Sequence, residues 1–255
     1  MAEGDTIHRV ARRFDAALVG SPVAVRTPGP RRPEGRAVSE IEDRVLRSAE
    51  ARGKHLLLDF EGELVLHSHL GMRGAWHLHP LGRRWRKPAR SAWIALSGNG
   101  AEAVNFGGSS LRLVRARELL RDPRLARLGP DILAPGFTDE LGSASLRRAD
   151  PARELGDALL DQTLIAGIGN IFKSEGCFAA RVDPWRPLAD VSDEELLRVV
   201  ELTRKLMAGA VESGRQPKRV YRRPRMPCPR CRTPIRSRAQ GDDARTTYWC
   251  PRCQA

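Results

Sequence analysis

The sequence lacks the features of a membrane, secreted or repeat protein. Of its 255 residues 41% are hydrophobic, yet no apolar run approaches the ~18 residues that a membrane-spanning helix needs. Asp5, His8 and Arg9 interrupt the start of the chain before the apolar part of a secretory leader could form. No internal repeat or long low-complexity tract is present. These absences predict a soluble globular protein of two domains that stays in the cytoplasm.

Acidic residues are too few to balance the basic ones. Lys and Arg together number 44 against 31 Asp and Glu, which gives a formal net charge of +13 and a pI near 10.6. Arginine is spread through every segment and is not confined to a tail. This charge predicts a polyanionic partner, and nucleic acid fits it better than a membrane surface.

Cysteine is scarce except at the end of the chain. Four of the five cysteines form two CxxC pairs, with Gly241 as a turn residue between the pairs. In a chain without a secretory leader, this spacing favours one Zn²⁺ ion over disulfides. Four protein ligands leave no open position for water, so this zinc is structural and stabilises a hairpin with little core of its own. Cys177 is interpreted as a buried apolar residue, with a reactive thiol as the alternative. The predicted zinc ligands are Cys228, Cys231, Cys250 and Cys253.

One mostly uncharged stretch, Leu159–Phe178 (LLDQTLIAGIGNIFKSEGCF), differs from the rest of this basic sequence. Its apolar residues recur at helical spacing, are interrupted by Gly167 and Gly169, and then resume. This pattern predicts a helix, a glycine turn and a second helix. Asn170 then lies at or near the N-cap of the second helix, where free N–H groups and the helix dipole favour a phosphate. A buried helical hairpin whose glycines serve packing alone fits the same spacing.

The N-terminal half of the chain combines one amphipathic helix with many short strands. Ile7–Leu18 carries its apolar side chains on one helical stripe, and Gly20 follows as a stop signal. From Ser21 to Glu118 the pattern changes to short alternating or apolar runs, which predict a β-sandwich or a flattened barrel. The predicted strands are Val23–Val25, His55–Phe60, Leu64–His67, Trp76–Leu78, Ser91–Leu96 and Ala101–Phe106.

The C-terminal half is predicted to be helical. Arg115–Leu128 is rich in arginine and fits a helix that breaks at Pro123. Ser192 and Glu195 form a capping box at the start of a later helix. The further helices are predicted near Pro151–Gln162, Asn170–Ala179 and Ser192–Glu212.

The Leu159–Phe178 stretch closely resembles the LLDQ…GIGNIYxxE segment of the helix-two-turn-helix DNA glycosylases, the family of formamidopyrimidine-DNA glycosylase and endonuclease VIII. Asn170 matches the family's phosphate-binding asparagine. Lys173 and Glu175 lie within the same motif, and Lys173 is assigned to DNA binding with Asn170. The resemblance implies an α+β multidomain fold. It divides the chain into a catalytic domain of an N-terminal helix and a β-sandwich (1–125), a helix-two-turn-helix DNA-binding domain (126–216) and a zinc finger (217–255).

The start of the chain carries the resemblance and also departs from it. The family begins with Met-Pro-Glu-Gly, and after Met removal the proline amine is its nucleophile and the glutamate its general acid. Glu3 and Gly4 match this pattern, but position 2 is Ala2. Without the resemblance, Glu3 and Asp5 are ordinary acidic residues that complement a helix dipole.

Ala2 still provides a usable nucleophile if Met1 is removed. An α-amino group titrates near ~8, whereas an ordinary lysine titrates near ~10.4. The imine formed by a primary amine can lose a proton and become neutral, whereas a proline adduct stays cationic. We therefore expect strand cleavage to be more impaired than base removal. An engineered substitution and a natural loss of activity are the alternative explanations of Ala2.

The resemblance assigns further DNA-contacting and catalytic residues. Lys54, in the sequence Arg-Gly-Lys-His, matches an active-site lysine, and otherwise is a solvated turn residue. Met72 matches the family's wedge that fills the space left by a flipped base, with Arg73 beside it; otherwise Met72 is a turn or core residue. Arg245 matches the finger arginine that binds phosphates, with a solvent-exposed arginine as the alternative.

Two absences within the resemblance favour the endonuclease VIII branch. Asn105–Leu111 (NFGGSSL) lacks the Arg-Phe pair of the oxidised-purine branch. Gly214–Val220 is a short link where that branch inserts a long lesion-covering loop. Both features predict an open pocket suited to oxidised pyrimidines. His67 and His69 could in principle bind a metal ion, but no third ligand lies near them in the sequence.

The predicted function is base-excision repair by a DNA glycosylase with AP lyase activity. Its predicted partner is double-stranded DNA with damaged bases or abasic sites, and its only predicted cofactor is one structural Zn²⁺. The protein is expected to be a monomer, associated with the nucleoid in the cytoplasm and not with membranes. The alternatives are a catalytically silent protein that binds abasic or damaged DNA on the same scaffold, and an RNA-associated zinc-ribbon protein.

Overall fold

The computed structural model describes residues 2–254, and the chain divides into two compact units, Met1–Ala126 (unit 1) and Arg127–Ala255 (unit 2). Unit 1 contains an N-terminal helix and two β-sheets, and unit 2 contains helices and a C-terminal hairpin. The predicted α+β class is confirmed. The predicted boundary at residue 217 within unit 2 stays a prediction, and the predicted removal of Met1 concerns a residue outside those described.

Helix α1 (Gly4–Ala17) fixes the start of the chain against the core of unit 1. Its apolar stripe is buried, and the ring of Phe14 meets the ring of Trp76 edge to face with centroids 5.1 Å apart. The backbone of Glu3 is extended, and its carbonyl oxygen accepts the first N–H groups of the helix. The predicted helix is therefore confirmed, and it begins three residues earlier than its periodicity indicated.

Two sheets enclose the core of unit 1. The strands in chain order are β1 (Ala24–Arg26), β2 (Glu34–Gly35), β3 (Leu46–Arg52), β4 (His55–Phe60), β5 (Leu64–His69), β6 (Trp76–Pro80), β7 (Ile94–Gly98), β8 (Ala101–Asn105) and β9 (Ser110–Arg115). One sheet has the order β2-β9-β5-β4-β3 and the other β1-β7-β8-β6, with every neighbouring pair antiparallel except β2 and β9. Residues from both sheets and from α1 form one hydrophobic cluster, as expected for a sandwich.

Each predicted strand overlaps an observed one, but β2, β3 and β9 were not predicted. Strand β3 has the sequence LRSAEAR and lies at one edge of the five-stranded sheet, where most of its side chains are exposed. An edge strand needs little apolar alternation, because only part of its surface is buried. Its existence depends on pairing with β4, which the sequence of β3 alone does not reveal.

Two short helices close unit 1, and four helices build unit 2. The predicted break at Pro123 is confirmed, because one short helix ends at Leu119 and the next begins at Pro123. None of the described helices is both long and apolar enough to cross a membrane. The helices are α2 (Ala116–Leu119), α3 (Pro123–Ala126), α4 (Asp139–Leu146), α5 (Leu155–Ala158), α6 (Asn170–Ala180) and α7 (Asp193–Ser213).

Local sequence patterns predicted the start of α7 correctly but overestimated the length of α5. The Ser192 side chain accepts the backbone N–H of Glu195, whose carboxylate accepts the N–H of Ser192, so the predicted capping box is confirmed. The predicted helix Pro151–Gln162 is wrong, because only Leu155–Ala158 is helical. The backbone N–H groups of Leu155 and Gly156 donate to the carbonyls of residues 186 and 184, and these bonds hold the preceding residues outside a helix.

A two-stranded hairpin follows these helices. Strands β10 (Arg236–Gln240) and β11 (Arg245–Trp249) are antiparallel, and the predicted turn residue Gly241 has a φ of +67°, a conformation that glycine adopts at no steric cost. Buried Phe178 of α6 packs against the cysteine end of the hairpin. The hairpin therefore has a hydrophobic contact with the helical part of unit 2.

Candidate active site

A cavity of about 320 Å³ in unit 1 brings together residues from the start of the chain and from the loop after β5. Ala2, half-buried beside the core, lines this cavity with Met72. Arg9, Arg13 and His77 also line it. We refer to it as the Ala2 cavity. Sequence reasoning missed the two arginines and the histidine, although Arg9 and Arg13 are four residues apart and so share one face of α1.

Glu3 lies directly after Ala2, at the N-cap of α1. Its side chain is only 1% exposed. Its carbonyl oxygen accepts the N–H groups of Thr6 at 3.0 Å and Ile7 at 3.3 Å, so the helix start fixes the backbone at this position. The side chain of Glu3 is thus buried on a fixed backbone directly after residue 2, and general acid catalysis requires a group with a defined position of this kind.

Met72 and Arg73 lie in a tight turn between β5 and β6. The N–H of Gly74 donates to the carbonyl of Leu70 at 3.0 Å, and Gly71 has a φ of +57°. The side chain of Met72 is 69% exposed although it lines the Ala2 cavity. Met72 is therefore not a core residue, and Arg73 beside it is exposed as well.

Lys54 lies in the turn between β3 and β4, after Gly53 with its φ of +58°. It is half-buried and does not line the Ala2 cavity. Its positive charge lies close enough to His69 to help burial lower the pKa of that imidazole. His69 immediately precedes Leu70, which does line the Ala2 cavity. Lys54 therefore lies outside the Ala2 cavity and near His69, the residue that precedes a lining residue.

Three histidines on β4 and β5 stack beside Lys54. His55 Nδ1 and His67 Nε2 are 2.8 Å apart, and the rings of His55 and His69 have centroids 4.7 Å apart. Burial is the main cause that lowers the pKa of His55 to about 3 and that of His67 to about 4. With these lowered pKa values the rings of His55 and His67 are neutral near pH 7. Among residues 2–254 the only group of side chains arranged to hold a metal ion is the cysteine cluster.

The stacked histidines predict a pH dependence of stability. The pKa values of His55 and His67 are lower in the folded chain than the ordinary value of 6.5. The unfolded chain therefore binds more protons than the folded chain between about pH 4 and 6.5. The free energy of unfolding should therefore fall as the pH falls through this window. Denaturant unfolding at a series of pH values measures the slope, and we expect His55→Gln with His67→Gln to reduce it by up to about two protons. His8→Gln lies outside the stack and is the control; an equal reduction in that variant would contradict the assignment.

Asn170 is the first residue of α6, directly after its N-cap Gly169. Its Nδ2 donates to the carbonyl oxygen of Thr246 at 2.8 Å, next to Arg245 on β11. The glycine turn before α6 is held by Gln162, which accepts the N–H of Gly167 at 3.0 Å. The structure therefore brings Asn170 together with the strand that carries Arg245. The predicted phosphate contact of Asn170 stays a prediction.

Lys173 does not have the role that the sequence suggested. Its side chain is completely buried, and its Nζ donates to Thr247 Oγ1 at 2.6 Å. Thr247 in turn donates to Gln240 Oε1 at 2.5 Å. A side chain enclosed in this way cannot contact DNA. The predicted DNA contact of Lys173 is wrong, and the residue instead joins α6 to the hairpin.

Arg245, by contrast, is exposed at the start of β11. Its nearest carboxylate is that of Asp243, with an N···O distance of 3.7 Å and both side chains largely in solvent. Such an exposed pair contributes little stability, so Arg245 can exchange this partner for a phosphate. Sequence reasoning found Arg245 but not the buried network beneath it, whose members lie far apart in the chain.

The four predicted cysteines converge at the other end of the hairpin. Their sulfur atoms all lie within 4.8 Å of one another, with Cys228 and Cys253 at 3.9 Å and Cys231 and Cys250 at 3.5 Å. Four thiolates at this spacing fit one tetrahedral Zn²⁺, which is a structural ion because no ligand position is left open. Cys177 lies outside the cluster, and complete burial raises its pKa to about 12, which confirms that it is not a reactive thiol.

Glu175 is a further residue whose role the sequence did not reveal. Its carboxylate is 1% exposed and accepts the backbone N–H groups of Arg219, Val220 and Tyr221 at 3.0, 2.9 and 2.8 Å. A buried carboxylate with three N–H donors is well satisfied. Glu175 therefore attaches the link before the zinc hairpin to α6.

Three family models match the chain in succession and together cover nearly all of it. Residues 1–121 match the formamidopyrimidine-DNA glycosylase N-terminal domain. Residues 128–221 match the formamidopyrimidine-DNA glycosylase H2TH domain. Residues 227–255 match the zinc finger found in FPG and IleRS, in agreement with the cysteine cluster.

Several proteins resemble the chain over its full length. It is 40% identical to the probable endonuclease 8 2 of Streptomyces coelicolor, a match that covers 100% of this chain and 94% of that protein. It is 35% identical to the DNA-(apurinic or apyrimidinic site) lyase Nei2 of Mycolicibacterium smegmatis, with 100% and 99% covered.

Solved structures share the fold. The MutM (Fpg) protein of Thermus thermophilus matches with a TM-score of 0.79 and 32% identity, over 99% of this chain and 98% of that one. A Lactococcus lactis Fpg complex with DNA that contains an abasic site matches with a TM-score of 0.83 and 20% identity, over 99% of each chain. With the two-sheet N-terminal unit, the glycine turn before α6 and the zinc hairpin, these matches show that the chain belongs to the formamidopyrimidine-DNA glycosylase family.

Proposed function

We propose that this protein is a bifunctional DNA glycosylase that removes oxidised bases from double-stranded DNA and cleaves the resulting abasic site through a Schiff base. The observation that carries the proposal is the meeting of Ala2 and the exposed Met72 at one cavity of unit 1, with the buried Glu3 directly after Ala2 in the chain. One Zn²⁺ stabilises the hairpin and takes no part in the chemistry. We further propose that the protein acts as a monomer, associated with the nucleoid in the cytoplasm.

The proposed reaction begins at the amine of residue 2, once Met1 has been removed. The nitrogen lone pair forms a bond to C1′ of the damaged nucleotide while Glu3 donates a proton to the sugar O4′ and the ring opens. The nitrogen then gives up a proton and expels the base, the base leaves with that proton as the glycosidic bond breaks, and a Schiff base between C1′ and the amine results. Loss of a proton from C2′ expels the 3′ phosphate and cleaves the strand. Lys54 contributes positive charge that favours an unprotonated amine.

Ala2 should change the balance between these two steps. A proline imine is permanently cationic and withdraws electrons from C2′ throughout the elimination. The imine of Ala2 carries one hydrogen on nitrogen, so it can lose that proton and become a weaker electron acceptor. Base release depends on attack of the amine on C1′ and much less on the charge of the imine that forms afterwards. The proposal is therefore a glycosylase whose lyase step is slower than its base-release step.

Residues of each unit are proposed to contact DNA, some through an apolar side chain and others through phosphate-binding groups. Met72 is proposed to occupy the space that the flipped nucleotide leaves, because it is exposed and apolar at the edge of the Ala2 cavity. Arg73 lies beside it. The N-terminus of α6 with Asn170 and the guanidinium of Arg245, both in unit 2, are proposed to bind DNA phosphates.

A preference for oxidised pyrimidines is the finer part of the proposal. The link from Ser213 to the anchored residue Arg219 is only a few residues long and offers no loop to cover a larger base. The 40% identical Streptomyces relative carries an endonuclease 8 name, in agreement with this branch. Competition between duplexes that contain an oxidised pyrimidine and an oxidised purine measures the preference directly.

Reductive trapping tests the proposed nucleophile. The protein is incubated with a duplex that contains an abasic site or an oxidised pyrimidine, borohydride is added, and the crosslinked peptide is mapped. We expect the adduct at Ala2. In Ala2→Pro we expect the ratio of strand cleavage to base release to rise about tenfold. An adduct at Lys54 would move the nucleophile to that residue, and Lys54→Met would then abolish trapping.

The silent-binding alternative predicts a different outcome. A protein that only recognises abasic or damaged DNA would bind the same duplex tightly, form no adduct with borohydride and release no base. Salt dependence of binding is common to both functions and does not separate them. Lesion-dependent base release does, so it is the decisive measurement.

A further inference from the structure

A basic segment crosses the outer face of the four-stranded sheet. It comprises residues 81–91 between β6 and β7, with the sequence LGRRWRKPARS, and we call it the strap. Trp85 fixes it to the sheet, because its ring meets Phe106 edge to face with centroids 5.9 Å apart. Its Nε1 donates to Glu102 Oε2 at 2.6 Å. The contacts of Trp85 thus fix the strap to the sheet.

The one carboxylate beneath the strap, that of Glu102, already has its own hydrogen-bond and ion-pair partners. Glu102 is 2% exposed and accepts hydrogen bonds from Trp85, from Ser97 Oγ at 3.2 Å and from the guanidinium of Arg26. The side chains of Arg83, Arg84 and Arg86 are exposed. Within residues 2–254 none of these three has a carboxylate at ion-pair distance. Unpaired arginines this close together repel one another, so the strap favours an anionic ligand.

The strap also encloses space for such a ligand. A cavity of about 800 Å³ is lined by strap residues 81–89 together with Arg26 and Glu102. The guanidinium of Arg26 lies over the ring of Trp85, 5.6 Å from its centroid, and Lys87 lies over Phe106 at 5.5 Å. The aromatic rings are therefore covered by cations, so the surface presented is positive and not apolar.

The strap is continuous with the Ala2 cavity through His77. His77 lines that cavity, and its ring packs against Phe106 with centroids 5.0 Å apart. Burial lowers the pKa of His77, and the charges of Lys87, His79, Arg86 and Arg13 lower it further. Positive groups thus extend from the Ala2 cavity across the edge of the sheet and along the strap.

We propose that the strap is a second phosphate-binding surface, which contacts the DNA backbone beyond the damaged nucleotide and on one side of it only. The inference rests on the proposed function, because it takes the Ala2 cavity as the position of that nucleotide. DNA is favoured over an acidic protein because the positive groups lead directly out of this cavity. Arginine suits the role, since its planar guanidinium binds phosphate oxygens in pairs.

Duplexes with a fixed lesion and flanks of different length test the proposal. Binding is measured for the full-length protein as one flank and then the other is extended by a helical turn. We expect affinity to increase with one flank only, and this increase to disappear in R83A/R84A/R86A. The slope of log K against log salt should also fall by about one for each arginine removed, or about three in total. Trp85 is left in place so that the strap stays attached.

A second triple variant is the matched control. R47A/R117A/R121A removes the same charge from exposed positions of unit 1 outside the strap, and we expect it to keep the dependence on flank length. Equal losses in the two variants, equal gains from both flanks, or an acidic protein competing for the strap in place of DNA would overturn the proposal. Base release by the wild type is recorded in the same samples. Its absence would overturn the proposed function alone, because the effect of flank length on binding would still report on the strap.

Discussion

Glu3→Gln is expected to lower the rate of base release by about 10²–10⁴-fold, the usual contribution of a positioned general acid. The amide has the same shape but cannot donate a proton from an acid to the opening sugar. Because Glu3 caps α1 through its backbone carbonyl and not through its side chain, the substitution should leave the helix in place. Single-turnover assays that score base release and strand cleavage separately measure the effect, and both should fall together.

Asp5→Asn is the control for Glu3. It removes the same charge from the same helical turn, where Asp5 is also buried and also complements the helix dipole. We expect Asp5→Asn to alter the midpoint of thermal unfolding more than the rate of base release. If both variants lose activity equally, the acidic start of α1 would be a structural feature and Glu3 would not be the acid.

Cys231→Ser is expected to remove zinc and, with it, tight binding of DNA. A structural zinc site supplies on the order of 10 kcal/mol to the folding of a small hairpin, which has little other core. Loss of the ion should release β11, and with it both Arg245 and the carbonyl of Thr246 that Asn170 binds. We expect affinity for an abasic-site duplex to fall at least about 100-fold, since two phosphate contacts are lost together.

Cys177→Ala separates loss of zinc from loss of a cysteine. This residue is completely buried in α6 outside the metal cluster, so the variant should retain one zinc ion per chain and nearly normal affinity. Metal content is measured by elemental analysis and binding by titration. Normal binding by zinc-free Cys231→Ser would show that the hairpin does not position Arg245.

Features with a local cause were predictable from the sequence. The zinc ligands follow from two short spacings, and the start of α7 follows from a Ser and a Glu three residues apart. The apolar stripe of α1 depends only on helical period. In each of these cases the interacting residues lie within a few positions of one another, or carry chemistry that only one arrangement satisfies.

Features that depend on distant partners were not predictable. Lys173 is buried because Thr247, 74 positions later, accepts its ammonium group as a hydrogen-bond partner. The helix expected from Pro151 is cut short by backbone bonds to residues 184 and 186. The arrangement of Ala2 with Met72, Arg9 and His77 likewise depends on how α1 packs on the sheets. Tertiary contacts of this kind override local preference.

The attachment of residues 219–221 to Glu175 has a consequence for how this family can vary. Residues 219–221 are held on α6 by three backbone N–H bonds to Glu175, and residues 214–218 connect this anchor to the end of α7. Extra chain inserted there costs little, because the entropy of closing a loop grows slowly with its length. Insertions at this point can therefore change the length of the link without moving the zinc hairpin that follows it.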